Sequence, residues 1–240
     1  MTAPAEQGEP GAGPDATDPA RTTAPGTSAD PATPPRRGPG RRPLLTRERL
    51  AEAAFALVDS EGIGTLTIAR LARDLGVSPM TIYGYAASKD EIVTLLPDLL
   101  LRDMPPVDTD QPWPAVVEQL FLDVYRRFVG HHRVTQAIAN APAFGRAQAD
   151  IIERVLATLD RAGLNRAEAF ELQRTLATYT LGFALFAIVE AQAGDTRPRS
   201  SWRTQLDDDD LPHIVEVADL LGAEVTETQY LAGMRRILRP

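Results

Sequence analysis

The chain has 240 residues, a formal net charge of −8, 43% hydrophobic residues and no cysteine. That length allows one or two domains with a sizeable core, and the absence of cysteine excludes a disulfide framework and any thiolate metal site. The acidic balance argues against a protein that coats nucleic acid at large, so DNA binding would have to come from a local patch.

Residues 1–43 read as a tail. Ten of the 20 prolines fall here, and Met1–Pro35 holds scattered acids and almost no large apolar side chain, a composition that predicts disorder. The sign of the charge then reverses. From Arg36 to Arg49 six arginines face Glu48 alone, a net of +5, so residues 36–42 form a basic arm. Such an arm beside a reading helix can follow phosphates or enter the minor groove, with Arg41 and Arg42 as candidate contacts; the alternative is a solubilising tail. No basic segment followed by an apolar run opens the chain, and the apolar stretch Leu176–Val189 is too short to span a bilayer. A soluble, cytoplasmic protein with no membrane partner is expected.

Helical punctuation begins at residue 44. Thr46 caps a first helix whose buried stripe is Leu50, Ala53, Ala54, Leu57 and Val58, ending at Glu61-Gly62. Thr67 caps a second, with Ile68, Leu71, Ala72 and Leu75 at helical spacing, and Gly76 follows where a helix end favours positive φ. Ser78 caps again with Pro79 at the first helical position, so Ser78–Tyr85 reads as the helix that enters a major groove. Ser88-Lys89-Asp90-Glu91 forms a capping box for a fourth helix through Ile92, Leu95, Leu96, Leu99 and Leu100, which Pro97 should kink or break.

Leu-Thr-Arg-Glu-Arg at 45–49, the Gly-x-x-x-Leu-Thr run ending at Thr67, Leu-Gly-Val-Ser at 75–78 and Ile82-Tyr83-x-Tyr85-x-x-x-Lys89 resemble the N-terminal domain of the tetracycline-repressor (TetR) family across residues 45–96. The resemblance implies an all-α fold with a helix-turn-helix DNA-binding domain over 44–96 and a ligand-binding and dimerisation domain over 97–240. It also implies roles. Pro79, Met80 and Thr81 become base-edge contacts, and Tyr83, Tyr85 and Lys89 backbone-positioning ones, with Thr67, Arg70 and Ser78 at the same surface. Two positions depart: Ala69 stands where the tetracycline repressor carries a base-reading arginine, and Gly84 where it carries tryptophan. The operator sequence therefore does not transfer.

Beyond Pro105-Pro106 the pattern is again helical. Pro112-Trp113-Pro114 opens a central helix containing Val117, Leu120, Phe121, Val124, Phe128 and Val129, broken at Gly130-His131-His132. A short helix to about Asn140, one over Gln148–Arg161 and a long one over Arg166–Gln192 follow. The last carries Leu172, Leu176, Tyr179, Phe183, Phe186 and Val189 at steps of four and three, a seam that wants a partner helix. Residues 197–210 read as an acidic exposed loop, and two short helices, 211–221 and 226–238, finish the chain.

Trp113, the His131 region, Leu159-x-x-Ala-Gly-Leu164, Tyr179-Thr-Leu-Gly182 and Tyr230-Leu-Ala-Gly-Met resemble the family's C-terminal domain, which implies a homodimer through a four-helix bundle. Aligned on these anchors, the positions that hold magnesium–tetracycline in the family's namesake fall on Ala139 and Phe186, neither of which binds a hard cation. No metal or cofactor is expected. Trp113, Tyr125, His131, Asn140, Phe144, Tyr179, Phe183 and Phe186 remain as an apolar and aromatic candidate lining for a small hydrophobic effector. The expected protein is a ligand-responsive repressor on double-stranded palindromic operator DNA, not an enzyme. The alternatives are a ligand-independent architectural DNA binder and a DNA-acting enzyme.

Overall fold

Four short helices meet at the start of the chain because each has its own N-terminal cap. In the computed structural model, which describes residues 45–139, 145–193, 211–217 and 225–239, α1 spans Arg47–Glu61, α2 Ile68–Leu75, α3 Pro79–Tyr83 and α4 Lys89–Val93. The hydroxyls of Thr46, Thr67, Ser78 and Ser88 accept backbone N–H bonds from Arg49, Arg70, Thr81 and Glu91 at 3.2, 3.1, 3.2 and 3.1 Å. Each satisfies one of the donors that a helix start leaves orphaned. Gly76 sits at φ 67°, ψ 34°, the left-handed conformation that closes α2 without a Cβ penalty. The Glu91 carboxylate does reach back, but to the N–H of Ala87 at 2.7 Å, one residue before the cap.

Pro97 produces a break. α4 stops at Val93, Thr94 and Leu95 form a turn, and α5 (Leu96–Leu100) restarts with the proline in its first turn, where a missing N–H costs nothing. The rest of the described chain is α6 (Trp113–Gly130), α7 (His132–Ile138), α8 (Arg146–Arg161), α9 (Arg166–Ala193), α10 (Pro212–Glu216) and α11 (Glu227–Ile237). Every regular element among the described residues is helical. Residues 43–240 form one unit, and a single apolar cluster runs from Leu50, Leu71 and Ile82 through Ile92, Leu96 and Leu100 to Phe121, Val155, Leu176 and Met234. The expected tail, the basic arm, the 197–210 loop and the second half of the expected 211–221 helix lie outside the described residues.

α6 is central as its sequence implies, with Val116, Val117, Leu120, Phe121, Val124, Tyr125 and Phe128 all buried. α9 corrects two expectations. Its buried face is Ala169, Gln173, Leu176, Thr180, Ala184, Ala187 and Ile188, whereas Phe186 and Val189 of the expected seam are 59% and 46% exposed. Ala169, Thr180, Ala184 and Ala187 share that face with Gln173, Leu176 and Ile188 where α6, α7, α8 and α11 pack against it. The helix is also 28 residues long, and by length and composition it is apolar enough to cross a membrane. The shorter apolar stretch read from the sequence had excluded that. It packs on α6, α7, α8 and α11, which covers part of that apolar surface, while Phe186 and Val189 stay on its outer face.

Candidate nucleic-acid interface and ligand region

α3, the helix expected to enter the major groove, is held from beneath. Ile82 is fully buried beside Leu71, Ala72 and Leu66, and Val77 N–H bonds back to the Ala72 carbonyl at 2.9 Å, fixing the turn between α2 and α3. This anchoring turns the first turn of α3 outward. Pro79, Met80 and Thr81 are exposed, Met80 by 76% and Tyr83 by 50%. An exposed methionine of that size would ordinarily be buried. The Thr81 hydroxyl lies 3.0 Å from that of Ser78, so the two hydroxyls at the tip share a hydrogen bond.

Behind the tip stand more constrained groups. Lys89 Nζ donates to the Ile63 carbonyl at 2.7 Å, which holds the half-buried ammonium at one spot at the start of α4. The Tyr85 hydroxyl donates to the Leu45 carbonyl, tying the segment entering α1 to the end of α3. Thr67 is exposed and its hydroxyl caps α2. Arg70 differs from the rest. Its guanidinium donates to both Glu61 oxygens at 2.6 and 3.0 Å and to Asp74 at 2.7 Å. Those bonds push its pKa further up and hold both carboxylates below their ordinary values. Its charge is thus matched within the protein. Arg41 and Arg42 lie outside the described residues.

Among the described residues the candidate ligand lining does not come together in one place. Tyr125, Tyr179 and Phe183 come together, but around Tyr230, which the sequence reading left without a role. Tyr125 and Tyr179 stack on the Tyr230 ring at centroid distances of 4.2 and 5.4 Å, and Phe183 tilts against it at 5.5 Å. Tyr230 is fully buried. Its hydroxyl donates to the Phe121 carbonyl at 3.0 Å and meets the Thr180 hydroxyl at 2.8 Å, while Tyr179 donates to the Tyr230 carbonyl at 2.9 Å. Burial pushes the pKa of Tyr230 up, against a lowering from the Thr180 bond. A Cβ on Gly233 would overlap the Tyr179 hydroxyl, so the glycine in Tyr-Leu-Ala-Gly-Met is a close-approach position, the one sequence signal for this cluster. The arrangement is a packed core.

The other candidates are dispersed. His131 Nδ1 stands 3.0 Å from Asp59 Oδ2 and its ring edges Phe55, with Arg133 beside it donating to the last carbonyls of α1, Asp59 and Ser60, at 3.1 and 2.8 Å. These contacts dock α7 on the end of α1. Trp113 opens α6, Phe186 faces outward, and Asn140 and Phe144 lie outside the described residues. A cavity of about 870 Å³ opens elsewhere, between the start of α1, α5 and the start of α8. Leu95, Leu99, Leu101, Met104 and Ile151 give it apolar walls, and Arg47, Glu48, Asp98 and Arg154 polar ones. None of the six described ligand candidates lines it. Among the described residues no three His, Asp or Glu side chains gather as a metal would need.

Two family models match the chain. The one described as bacterial regulatory proteins, tetR family, covers residues 50–96, and the one described as tetracyclin repressor-like, C-terminal domain, covers 105–238. The transcriptional repressor DrrR1 of Streptomyces coeruleorubidus is 30% identical over 161 residues, which is 66% of this chain and 59% of that protein, so the match spans less than two thirds of that relative's length. Among solved structures, ActR of Streptomyces coelicolor in complex with actinorhodin superposes with a TM-score of 0.72 at 22% identity, over 82% of this chain and 95% of that one. BioQ with its double-stranded DNA operator superposes with a TM-score of 0.53 at 25% identity, over 70% of this chain and 98% of that one.

Proposed function

The chain belongs to the tetR family of bacterial regulatory proteins, and from that premise we propose that it is a dimeric transcriptional repressor, working in the bacterial cytoplasm, that leaves its operator when a small molecule binds. The observation that carries the reading is the first turn of α3, with Pro79, Met80 and Thr81 exposed on a fully buried Ile82 anchor. That is the geometry of a helix whose N-terminal residues reach base edges while the one before it braces the backbone. Thr81 supplies a hydroxyl and a methyl, and Met80 an apolar tip for a thymine methyl. Lys89, pinned at the start of α4, supplies charge to a phosphate. Arg70 serves the scaffold through Glu61 and Asp74.

Dimerisation has support in α9. Thr175, Thr178, Gly182, Phe186 and Val189 lie on one exposed face of it, and a Cβ on Gly182 would meet nothing within 4 Å. A face of small and apolar side chains with a glycine at its middle suits a second copy crossing closely. The likeness to ActR, whose crystal structure holds actinorhodin, supports a small organic effector. With the Tyr230 cluster packed shut, the α1–α5–α8 cavity is the better seat for it, and its mixed walls favour an amphipathic molecule over a purely apolar one. The test is selection of bound sequences from random duplex DNA followed by footprinting. A pseudo-palindrome, with half-sites about 34–36 Å apart or a multiple, is the expected result. One asymmetric site occupied by a monomer, or cleavage of the selected DNA, overturns the reading.

A further inference from the structure

α8 begins without a cap of its own. Its N-cap is Gly145, which has no side chain to offer, yet the backbone there is extended at φ −114°, ψ 178° and any residue adopts that. Serine or aspartate would stabilise the helix better at that position. The reason for glycine lies elsewhere in the chain. Asp98, on α5 and immediately after Pro97, reaches across so that Oδ1 accepts the Ala147 N–H at 2.9 Å. A Cβ on Gly145 would overlap that carboxylate. The cap of α8 is therefore supplied from 49 residues away, and the glycine is clearance for it.

The supplier sits at the joint between the two halves. α4 belongs to the reading unit through buried Ile92, the chain breaks at Thr94-Leu95, and α5 then packs between α1 on one side and α7 and α8 on the other. A break of this kind leaves the direction of the second segment open. A carboxylate at a helix N-terminus meets both orphan N–H groups and the positive end of the helix dipole. Among the described residues no lysine or arginine pairs with Asp98, so α8 is its one polar partner. We infer that Asp98 is a positioning residue: by capping α8 from the linker it fixes the attitude of the reading unit relative to the C-terminal helices. The same carboxylate and Gly145 form part of the wall of the α1–α5–α8 cavity, so a molecule entering there meets this joint directly.

The absence of cysteine allows a clean pair of spin labels at Arg73→Cys on α2 and Glu153→Cys on α8, both exposed, with labelled full-length chains diluted into unlabelled ones so that only the distance within a chain is read. The wild type should give a narrow distribution. Asp98→Ala should broaden or shift it, lower the melting temperature and weaken binding to the selected operator roughly fivefold, the lower end of coupling between distant sites. Asp98→Asn keeps an acceptor oxygen and should stay narrow. The double variant Asp98→Ala/Gly145→Ser gives α8 a local cap, so its melting temperature should return while the broad distribution and weak binding persist; it also carries the test if Asp98→Ala alone fails to fold. An unchanged distribution in Asp98→Ala, or a double variant that regains the narrow distribution together with its melting temperature, overturns the inference. The operator arm rests on the repressor reading above, whereas the distance arm does not. Broadening in a protein that selects no DNA would sink that reading and leave this one standing.

Discussion

The reading unit and the C-terminal helices are held together in different ways. In the former, four helix starts are each capped by a side chain at the helix boundary itself, from Thr46 to Ser88. In the latter, Asn165 and Thr226 cap α9 and α11 locally, but α6, α7 and α8 have no side-chain cap from their own N-cap residue. More of the ties in that region are long-range: Tyr230 against Phe121, Arg133 against the end of α1, Arg126 against Glu227 and Asp98 against α8, where the N-terminal unit adds Lys89 against Ile63 and Tyr85 against Leu45 to its caps. A unit built from local contacts keeps its shape whatever its neighbours do, which suits a surface that must match DNA. A region built from distant contacts shifts as a whole when one of them changes, which suits a responding one.

Several substitutions sharpen or break this contrast. The largest effect should come from Tyr230→Ala, which empties the centre of a packed aromatic cluster and should cost about 3–5 kcal/mol in chemical denaturation. A small loss would mean that the cluster is not the keystone of its region. Tyr230→Phe keeps the rings but leaves the Phe121 carbonyl and Thr180 hydroxyl without their partner, a cost of about 1–3 kcal/mol. That variant also has a pH signature. Burial raises the pKa of Tyr230, as it does for Tyr125 and Tyr179, so their stabilising effect is complete below the ordinary tyrosine value of 10.0 and is lost as pH rises beyond it, because the unfolded chain ionises first. Tyr230→Phe should flatten that alkaline loss of stability; an identical slope would contradict the assignment.

Ser78→Ala removes a local cap and should cost about 1 kcal/mol, with thermal melting of the variant still a single transition. Smaller still is Glu227→Gln. The hydrogen bond from Arg126 holds the Glu227 carboxyl below its ordinary 4.5, so the stabilisation it gives is present above that value and fades as pH falls through the depressed one. The pair is largely exposed, and such pairs contribute little, so the variant should melt only slightly below wild type at neutral pH, and the two should converge in acid, where the wild type loses the same stabilisation. A large shift at neutral pH would mean that this long-range tie matters more than its exposure allows.

The same contrast explains what the sequence made readable. Ser-Pro at a helix start, glycine at positive φ and Ser-x-x-Glu are signals a few residues long, and the helix-turn-helix follows from them. Pro97 was legible as an interruption for the same reason. The described aromatic candidates stand apart because shared aromatic character says nothing about which rings meet: three surround Tyr230, His131 pairs with Asp59, and Phe186 faces outward. On α9, hydrophobic spacing weighs large side chains, whereas its buried face sets Ala169, Thr180, Ala184 and Ala187 among Leu176 and Ile188 and leaves Phe186 and Val189 outside. Gly145 and Gly233 were visible as letters, but their meaning depends on Asp98 and Tyr179, which only the fold brings to them.

The central claim is that α3 reads bases while Lys89 holds the backbone. Its most direct test is competition binding of wild type, Met80→Ala and Lys89→Ala against the selected operator and its single-base variants, at several salt concentrations. Met80→Ala should change the order of preference at one position in each half-site and leave the salt dependence as it was. Lys89→Ala should weaken every sequence alike and lower the salt slope by about one. The reverse pattern, with base preference following Lys89 and unmoved by Met80, would contradict the account.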